Sequence, residues 1–270
     1  MKAKICAAPY LLWSAVFIIC PLGVVVYFAL TDKAGNFTLN NLISIGEYST
    51  VFMRSILLAA VATAICLVLA YPISYMLSRM RKSRQHMMQM LVLLPMWMNF
   101  LLRTYAWMTL LETNGLINKF LGFFGLGPFQ MINTPGAVVL GMVYNYLPFM
   151  ILPLYTVMIK IDGSLIEAAQ DLGCSMTQIL RKVLLPLSVP GISTGITMVF
   201  VPSVSTFIIS RMLGGGNNLL IGDLIELQFL GNSYNYNLGS AMSLVLMILV
   251  LVCMGITNTF SNEEELEGSI

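Results

Sequence analysis

Long stretches without charged residues dominate this sequence. A membrane-spanning helix needs about 20 mostly apolar residues, and five uncharged stretches are long enough: Pro9 to Leu30, Ser55 to Ser78, Gly136 to Ile159, Pro190 to Ser210 and Leu238 to Phe260. A sixth, Met87 to Leu111, is interrupted by Arg103. In lipid, backbone amides must bond within their own segment or in a closed barrel. Because the stretches lack two-residue alternation, they predict about six transmembrane helices.

Composition agrees with an all-α polytopic membrane bundle. Charged residues make up 10% of the 270 residues and apolar residues 58%, whereas a soluble domain carries about 25% charged residues. The net charge is +2 and no long basic run occurs, so we expect lipid and not nucleic acid as a partner. The five cysteines are scattered and the one histidine lies among basic residues, which predicts neither a metal site nor redox chemistry.

Lysine and arginine predict the orientation, because cytoplasmic loops carry an excess of both. A cytoplasmic N-terminus puts nine of them inside, namely Lys2, Lys4, Arg79, Arg81, Lys82, Arg84, Lys160, Arg181 and Lys182. Five then lie outside or near the outer ends of helices, namely Lys33, Arg54, Arg103, Lys119 and Arg211. Both termini are therefore predicted to be cytoplasmic. We divide the chain into residues 1–50, a transport domain over 51–262, and an acidic tail over 263–270 that we expect to be disordered.

The cytoplasmic loop over residues 160–186 has helix signals of its own. Ser164 and Glu167 have the spacing of a capping box, in which each side chain bonds the backbone amide of the other residue. Gly173 is suited to ending that helix in the left-handed conformation. Ser175 and Gln178 form a second box. The pattern predicts a helix, a glycine corner and a second helix; docking of a partner and a plain surface turn both remain open at this point.

The spacing of this loop resembles the signature of bacterial ABC importer permeases, which is E-A-A, three residues, G, nine residues and I-x-L-P. Here it reads Glu167-Ala168-Ala169, Gly173 and Val183-Leu184-Leu185-Pro186, with valine in place of isoleucine. The resemblance implies the type I ABC importer permease fold and an ATPase homodimer that grips this loop. The contact residues would be Glu167, Ala168, Ala169, Asp171, Leu172 and Gly173. ATP and Mg would belong to that partner, and no lysine here follows a glycine, so the P-loop motif does not occur in this sequence.

A second resemblance concerns the cargo. The third stretch, around Pro95 to Trp107, with Asn114-Gly115 and Asn218 to Gly222 further on, is similar to the first-permease branch of spermidine/putrescine importers. It implies an inner-membrane chain of a bacterium, a heterodimer with a second homologous permease, and an extracytoplasmic polyamine-binding protein. Related permeases carry other solutes, so a ferric or anionic cargo stays an alternative.

A polyamine path should offer aromatic faces and carboxylates, because a cation over an aromatic ring gains about 0.5–2 kcal/mol. The candidates are Trp97, Arg103, Tyr105, Trp107, Glu112, Asp223 and Glu226. The aromatic residues also fit an interfacial belt. Arg103 does not suit a cation and is interpreted as a gating or structural pair, or as a substrate contact.

Pro186, Pro190 and Pro202, with Gly191 and Gly195, fit a fifth helix that bends or that packs closely on a neighbour. Two other classes fit less well. An intramembrane enzyme needs a nucleophile with a positioned base, and no such set is visible. A secondary transporter would differ by the absence of an ATPase partner.

Overall fold

The computed structural model describes residues 9–10, 12–216, 218–231 and 234–267, and their secondary structure is helical apart from one isolated bridge between Thr31 and Phe37. Residues 1–8 and 268–270 of the predicted terminal segments, including Lys2 and Lys4, lie outside the described residues. Twelve helices are used below: α1 (Leu12–Ala29), α2 (Ser49–Ser78), α3 (Lys82–Trp97), α4 (Phe100–Leu111), α5 (Leu116–Phe123), α6 (Pro135–Met158), α7 (Gly163–Asp171), α8 (Met176–Leu187), α9 (Val189–Val204), α10 (Ile208–Gly214), α11 (Ile221–Leu230) and α12 (Tyr236–Glu267). A short helix, Asn40–Ser44, and a 3-10 turn, Ile45–Tyr48, precede α2.

The long apolar helices are the predicted spans. By length and composition, four helices of the described chain can cross a membrane, and a fifth is counted if α8 and α9, bent by 71°, form one broken span. The four are α1, α2 with the short helix and turn before it, α6 and α12. The predicted all-helical membrane bundle is confirmed, although two of its about six predicted spans are not single helices.

Two of the predicted spans are each broken into two helices in the structure. The predicted span Met87 to Leu111 is two helices, because the backbone is extended at Met98 and the Asn99 side chain accepts the amide of Leu101 at 2.8 Å, which starts α4. The predicted span Pro190 to Ser210 stops at Val204. Pro202 has no amide to donate, which weakens the last turn of α9 before α10 starts at Ile208.

The direction of the packed helices shows that α3 and α4 together return across the bundle. Cys66 of α2 donates to the carbonyl of Val143 of α6 at 3.9 Å, and Ser74 donates to Ile151 at 3.0 Å. From the first hydrogen bond to the second, the residue number rises on both helices, so α2 and α6 are parallel. The chain between them must therefore travel back over the length of the bundle, and α3 and α4 are the segment that does so.

The core lies where α2, α6 and α9 meet. The buried face of α2 carries small residues, including Ala62, Cys66 and Ala70, which allow a neighbouring helix to approach closely. Glycines play the same part on α9: a Cβ at Gly191 would lie 3.1 Å from the carbonyl oxygen of Pro153, and one at Gly195 would lie 2.5 Å from the sulfur of Met150. The glycines of the fifth span are thus packed against α6.

The acidic end of the chain continues the last long helix. Helix α12 runs from Tyr236 through the glutamate run to Glu267, which is the part of the predicted tail that the structure describes. Glutamate is a good helix former, and the run extends a helix that has already formed.

Candidate coupling loop and transport path

The candidate coupling helix is α7, and its N-cap is Asp162. The Asp162 Oδ1 accepts the amide of Ser164 at 3.0 Å. The predicted capping box of Ser164 and Glu167 is wrong, because Ser164 already lies inside the helix. The hydrogen bond from Ser164, with a smaller contribution from the charge of Arg79, lowers the pKa of Asp162 below its ordinary value. Asp162 therefore carries a negative charge at the helix N-terminus, where the helix dipole favours one.

The predicted glycine corner is confirmed. Gly173 has φ +78°, the left-handed region, and its amide donates to the carbonyl of Gln170 at 2.8 Å. The amide of Cys174 donates to Ala169 at 3.0 Å, which completes the usual helix-ending arrangement. The second helix follows at Met176, and the Gln178 half of the second box is formed, since Oε1 accepts the Ser175 amide at 2.8 Å.

Helix α7 has an inner and an outer face. Ile166 and Ala169 are buried and pack in the main core cluster. Glu167, Ala168, Asp171, Leu172 and Gly173 are exposed, with Leu172 at 84%. Five of the six predicted contact residues therefore share the outer surface, whereas Ala169 lets α7 lie close to the bundle. We call Glu167, Ala168, Asp171, Leu172 and Gly173 the outer face of α7, where outer means facing away from the helical bundle and not the outer side of the membrane.

The seven predicted path residues fall into different settings. Trp97 and Tyr105 are exposed, at 83% and 53%. Trp107 is half-buried and makes an edge contact with Tyr144, with ring centroids 5.4 Å apart. Glu112 is exposed at the end of α4, where its carbonyl accepts the amide of Gly115. Trp97 thus ends α3, Tyr105 and Trp107 lie on α4 with Glu112 directly after it, and the other carboxylates belong to α11.

Arg103 is buried, with 7% of its surface exposed. Its guanidinium lies 5.9 Å from the centre of the Phe100 ring, and its Nε and Nη1 have no hydrogen-bond partner among the described residues. A buried cation of this kind is costly and is normally paired, and these two nitrogens have no acceptor within the described part of this chain.

Asp223 and Glu226 lie one turn apart on α11. Asp223 is fully buried, its Oδ2 accepts the Leu220 amide at 2.8 Å, and burial raises the pKa of its carboxyl above the ordinary value. Glu226 is half-buried and accepts a hydrogen bond from Nη1 of Arg211 at 3.0 Å. It also lines an open, mostly apolar cavity of about 480 Å³ between α9, α11 and α12, together with Val201, Ser205, Phe207, Gly222, Ile225, Ser243, Leu246, Met247 and Val250.

The chain from residue 70 to residue 261 matches the family of binding-protein-dependent transport system inner membrane components. This stretch is more than half of the chain and contains α6 to α9 with the loop between them. The chain belongs to this family of ABC importer permeases. The permease is accordingly a multi-pass inner-membrane component of an ABC importer that works with an ATPase and a periplasmic binding protein, and it is not itself an enzyme.

Two relatives and one solved structure extend the match. The permease is 37% identical over 257 residues to the spermidine/putrescine transport system permease protein PotB of Haemophilus influenzae, covering 92% of this chain and 90% of the relative. It is 36% identical over 248 residues to PotB of Escherichia coli K12, covering 88% and 90%. A bacterial ABC transporter for the acidic polysaccharide alginate has the same fold, with a TM-score of 0.81, 16% identity and coverage of 97% and 95%.

The sequence analysis took Ser164 as the N-cap and missed Asp162, two residues earlier. Aspartate is itself one of the preferred N-cap residues. The sequence analysis also treated Arg79 only as a topological charge. The Nη1 of Arg79 donates to the carbonyl of Ile161 at 3.3 Å, a contact across 82 residues that no local pattern indicates.

Proposed function

We propose that the permease forms, with a second homologous permease, the membrane path of a polyamine importer for spermidine and putrescine. The observation that carries the cargo assignment is the 36–37% identity to PotB proteins over about nine-tenths of both chains. In this proposal an ATPase homodimer binds below, and a polyamine-binding protein delivers the cargo from outside. ATP and Mg are bound by the ATPase subunits.

The coupling role is assigned to the outer face of α7. This face is exposed, carries the Glu167 and Asp171 carboxylates and the apolar Leu172, and ends at the left-handed Gly173. The inner face holds the helix to the core through Ile166 and Ala169. A partner that moves the outer face therefore also moves the ends of α6 and α8.

The orientation that we propose puts α7 and both termini in the cytoplasm. Helices α6 and α9 are antiparallel, since Gly191 lies against Pro153 and Tyr146 donates to the carbonyl of Pro202. Helices α9 and α12 are also antiparallel, since Thr197 bonds Thr257 while Ser205 and Ser243 line one cavity. The lysine and arginine excess then assigns the face with α7 to the inside.

The path residues proposed for the cargo are Trp97, Tyr105, Trp107, Glu112, Asp223 and Glu226. Aromatic rings and carboxylates suit a flexible multivalent cation. Glu226 is the best placed of the carboxylates, because it lines a cavity and its present partner, Arg211, is half-exposed and displaceable.

Uptake in a strain that lacks the gene tests this function. We expect uptake of radiolabelled spermidine and putrescine to fall and to return with the wild-type gene. Gly173→Glu should not restore it, because a bulky charged residue at positive φ alters the corner next to the ATPase contact. Gly173→Ala has the same positive φ, but its Cβ meets no atom within 4 Å, so it separates backbone strain from the bulk and charge of glutamate. Normal transport by Gly173→Glu would contradict the coupling role, and unchanged uptake in the deletion strain would contradict the cargo.

A second cargo, an anionic or ferric-chelate solute, is favoured by one observation. Arg103 offers two buried nitrogens without partners among the described residues, and a guanidinium binds carboxylates and other oxyanions well. Labelled sulfate and ferric citrate in the same uptake assay separate the two cargoes. Anion uptake that is lost in the deletion strain and in Arg103→Gln, with polyamine uptake unchanged in the deletion strain, would replace the first proposal.

A further inference from the structure

Helix α2 contacts the root of α7 at its inner end. Arg79 is the C-cap residue of α2, and its Nη1 donates to the carbonyl of Ile161, the residue directly before the N-cap of α7. The guanidinium lies 5.7 Å from the centre of the Tyr75 ring on its own helix, which holds the side chain in place. Any displacement of the start of α7 therefore reaches the end of α2.

The same corner is fastened to α6 through a buried amide. The Nε2 of Gln85 donates to the carbonyls of Met80 at 2.8 Å and Ser78 at 3.2 Å. Its Oε1 accepts the hydroxyl of Tyr155 at 3.4 Å. Because a buried amide with all these partners is costly to unpair, the ends of α2, α3 and α6 move together.

At its outer end α2 contacts the start of α11. Ser55 is fully buried, donates to Val51 at 2.9 Å, and accepts the amide of Ile221 at 2.8 Å. Gly222 follows and lies so close to the broken end of α9 that a Cβ there would be 2.5 Å from the carbonyl oxygen of Ser205. Ser55 and the α9–α10 break thus enclose the first turn of α11 on two sides.

The two contacts lie on one continuous helix. Helix α2 has 30 residues, and the 24 residue steps from Ser55 to Arg79 cover about 36 Å of helix axis at about 1.5 Å per residue. Pro72 lies between the two contacts and removes one backbone hydrogen bond of α2, but α6 and α9 pack along the helix and support it there. A packed helix with a polar contact at each end is suited to carry a displacement from one face of the membrane to the other.

We propose that α2 carries the movement of α7 to α11, and that Arg79 and Ser55 are the positioning residues at its two ends. The proposal rests on the proposed coupling function of α7. It assigns to α11, and so to the cavity beside Glu226, the role of the outer segment that responds when the ATPase closes.

The test uses the complete importer, with its ATPase and binding protein, in proteoliposomes. Arg79→Ala and Ser55→Ala are compared with two controls. Arg81→Ala removes an exposed arginine from the same corner, and Thr63→Val removes a hydroxyl that bonds only the Ala59 carbonyl of its own helix. ATP hydrolysis and spermidine uptake are measured in the same vesicles, together with copurification of the ATPase.

We expect the two test variants to retain ATPase binding and hydrolysis while uptake falls about tenfold, the effect of losing one well-placed hydrogen bond. The ratio of ATP hydrolysed to spermidine transported should therefore rise about tenfold in both variants and stay unchanged in both controls. A merely structural role would lower hydrolysis, uptake and assembly together. Arg79→Lys, which keeps a donor and the charge, should restore part of the coupling.

An unchanged ratio in Arg79→Ala or in Ser55→Ala would overturn the assignment of that residue. A rise of the same size in the controls would overturn the role of α2. If wild-type vesicles hydrolyse ATP but take up neither spermidine nor putrescine, the proposed cargo fails. If the wild type transports and the ratio is unchanged in both test variants, the role of α2 fails alone, so the two failures are distinguishable.

Discussion

Helices α7 and α11 are short connecting helices that begin in a similar way in opposite surroundings. Each has an aspartate next to a glycine near its start, and in each the carboxylate accepts a backbone amide of the first turn, at 3.0 Å for Asp162 and 2.8 Å for Asp223. Asp162 is exposed and its pKa is lowered, whereas Asp223 is buried and its pKa is raised. Burial, and not the hydrogen bond, decides whether the pKa of the carboxyl is raised or lowered.

The same contrast separates the two functions that we propose. The outer face of α7 is open to a protein partner. The first turn of α11 is buried against α2, the end of α9 and α12, so it responds when these helices move. One connecting helix receives a movement and the other is moved.

The largest effect on stability is expected for a substitution of the glycine in α11, in contrast to the glycine in α7. A Cβ at Gly222 would lie 2.5 Å and 2.6 Å from the carbonyl oxygens of Ser205 and Thr206, whereas at Gly163 the nearest atom is 3.8 Å away. Gly222→Ala should lower the free energy of unfolding by about 1–3 kcal/mol or more. Gly163→Ala should leave it unchanged or raise it by up to about 1 kcal/mol. Thermal unfolding of the purified permease in detergent measures both, and equal effects would contradict the contrast.

The next effect concerns the buried cap. Asp223→Ala removes the acceptor of a buried amide and should lower the free energy of unfolding by about 1–3 kcal/mol. Asp223→Asn keeps an acceptor oxygen and should cost less. The same unfolding assay compares the two variants. An equal or larger loss in Asp223→Asn than in Asp223→Ala would contradict the role of the acceptor oxygen.

A pH titration gives a smaller effect with opposite signs at the two caps. The raised pKa of Asp223 means that its protonated form is favoured in the folded state, so its contribution to stability is present at low pH and is lost as pH rises through the raised value. The lowered pKa of Asp162 makes its contribution present above the ordinary carboxyl pKa and lost as pH falls below it. When the unfolding temperature is plotted against pH, Asp223→Asn should remove the fall that the wild type shows as pH rises. Asp162→Asn should remove the fall that the wild type shows as pH drops. The same profile in both variants would refute the assignment.

The smallest effect on stability is expected for the ion pair of Arg211 and Glu226. The two side chains are 51% and 19% exposed, and exposed pairs contribute about 0.2–1 kcal/mol. Glu226→Gln should therefore change the unfolding temperature little while lowering spermidine uptake severalfold. Glu47→Gln, at an exposed carboxylate outside the proposed path, is the control and should leave uptake unchanged. Normal uptake in Glu226→Gln would remove Glu226 from the proposed path.

Local sequence patterns predicted the elements whose signals are local. The apolar runs located α1, α2, α6 and α12, and Gly173 located the corner after α7, because hydropathy and positive φ are properties of a few neighbouring residues. The breaks after Trp97 and Val204 were not predicted, since no charged residue marks them. Their signals are the cap Asn99 and the missing amide of Pro202.

The settings of the path residues could not be predicted, because they depend on contacts between distant segments. The burial of Arg103 and Asp223 and the contact of Arg79 with Ile161 follow from how α2, α6, α10 and α11 pack. Without these contacts, the sequence analysis treats Asp223 and Glu226 alike, as carboxylates of the transport path. In the structure Asp223 is buried at the start of α11, whereas Glu226 faces a cavity.

The parallel arrangement of α2 and α6 has a consequence for synthesis. The donors on α2 meet carbonyls that lie 77 residues later in the chain. When α2 leaves the ribosome and enters the bilayer, the surface that will cover its alanines and Cys66 has not yet been translated. The nascent α2 must wait in lipid, or beside the insertion machinery, until α3 and α4 have passed back across and α6 has arrived.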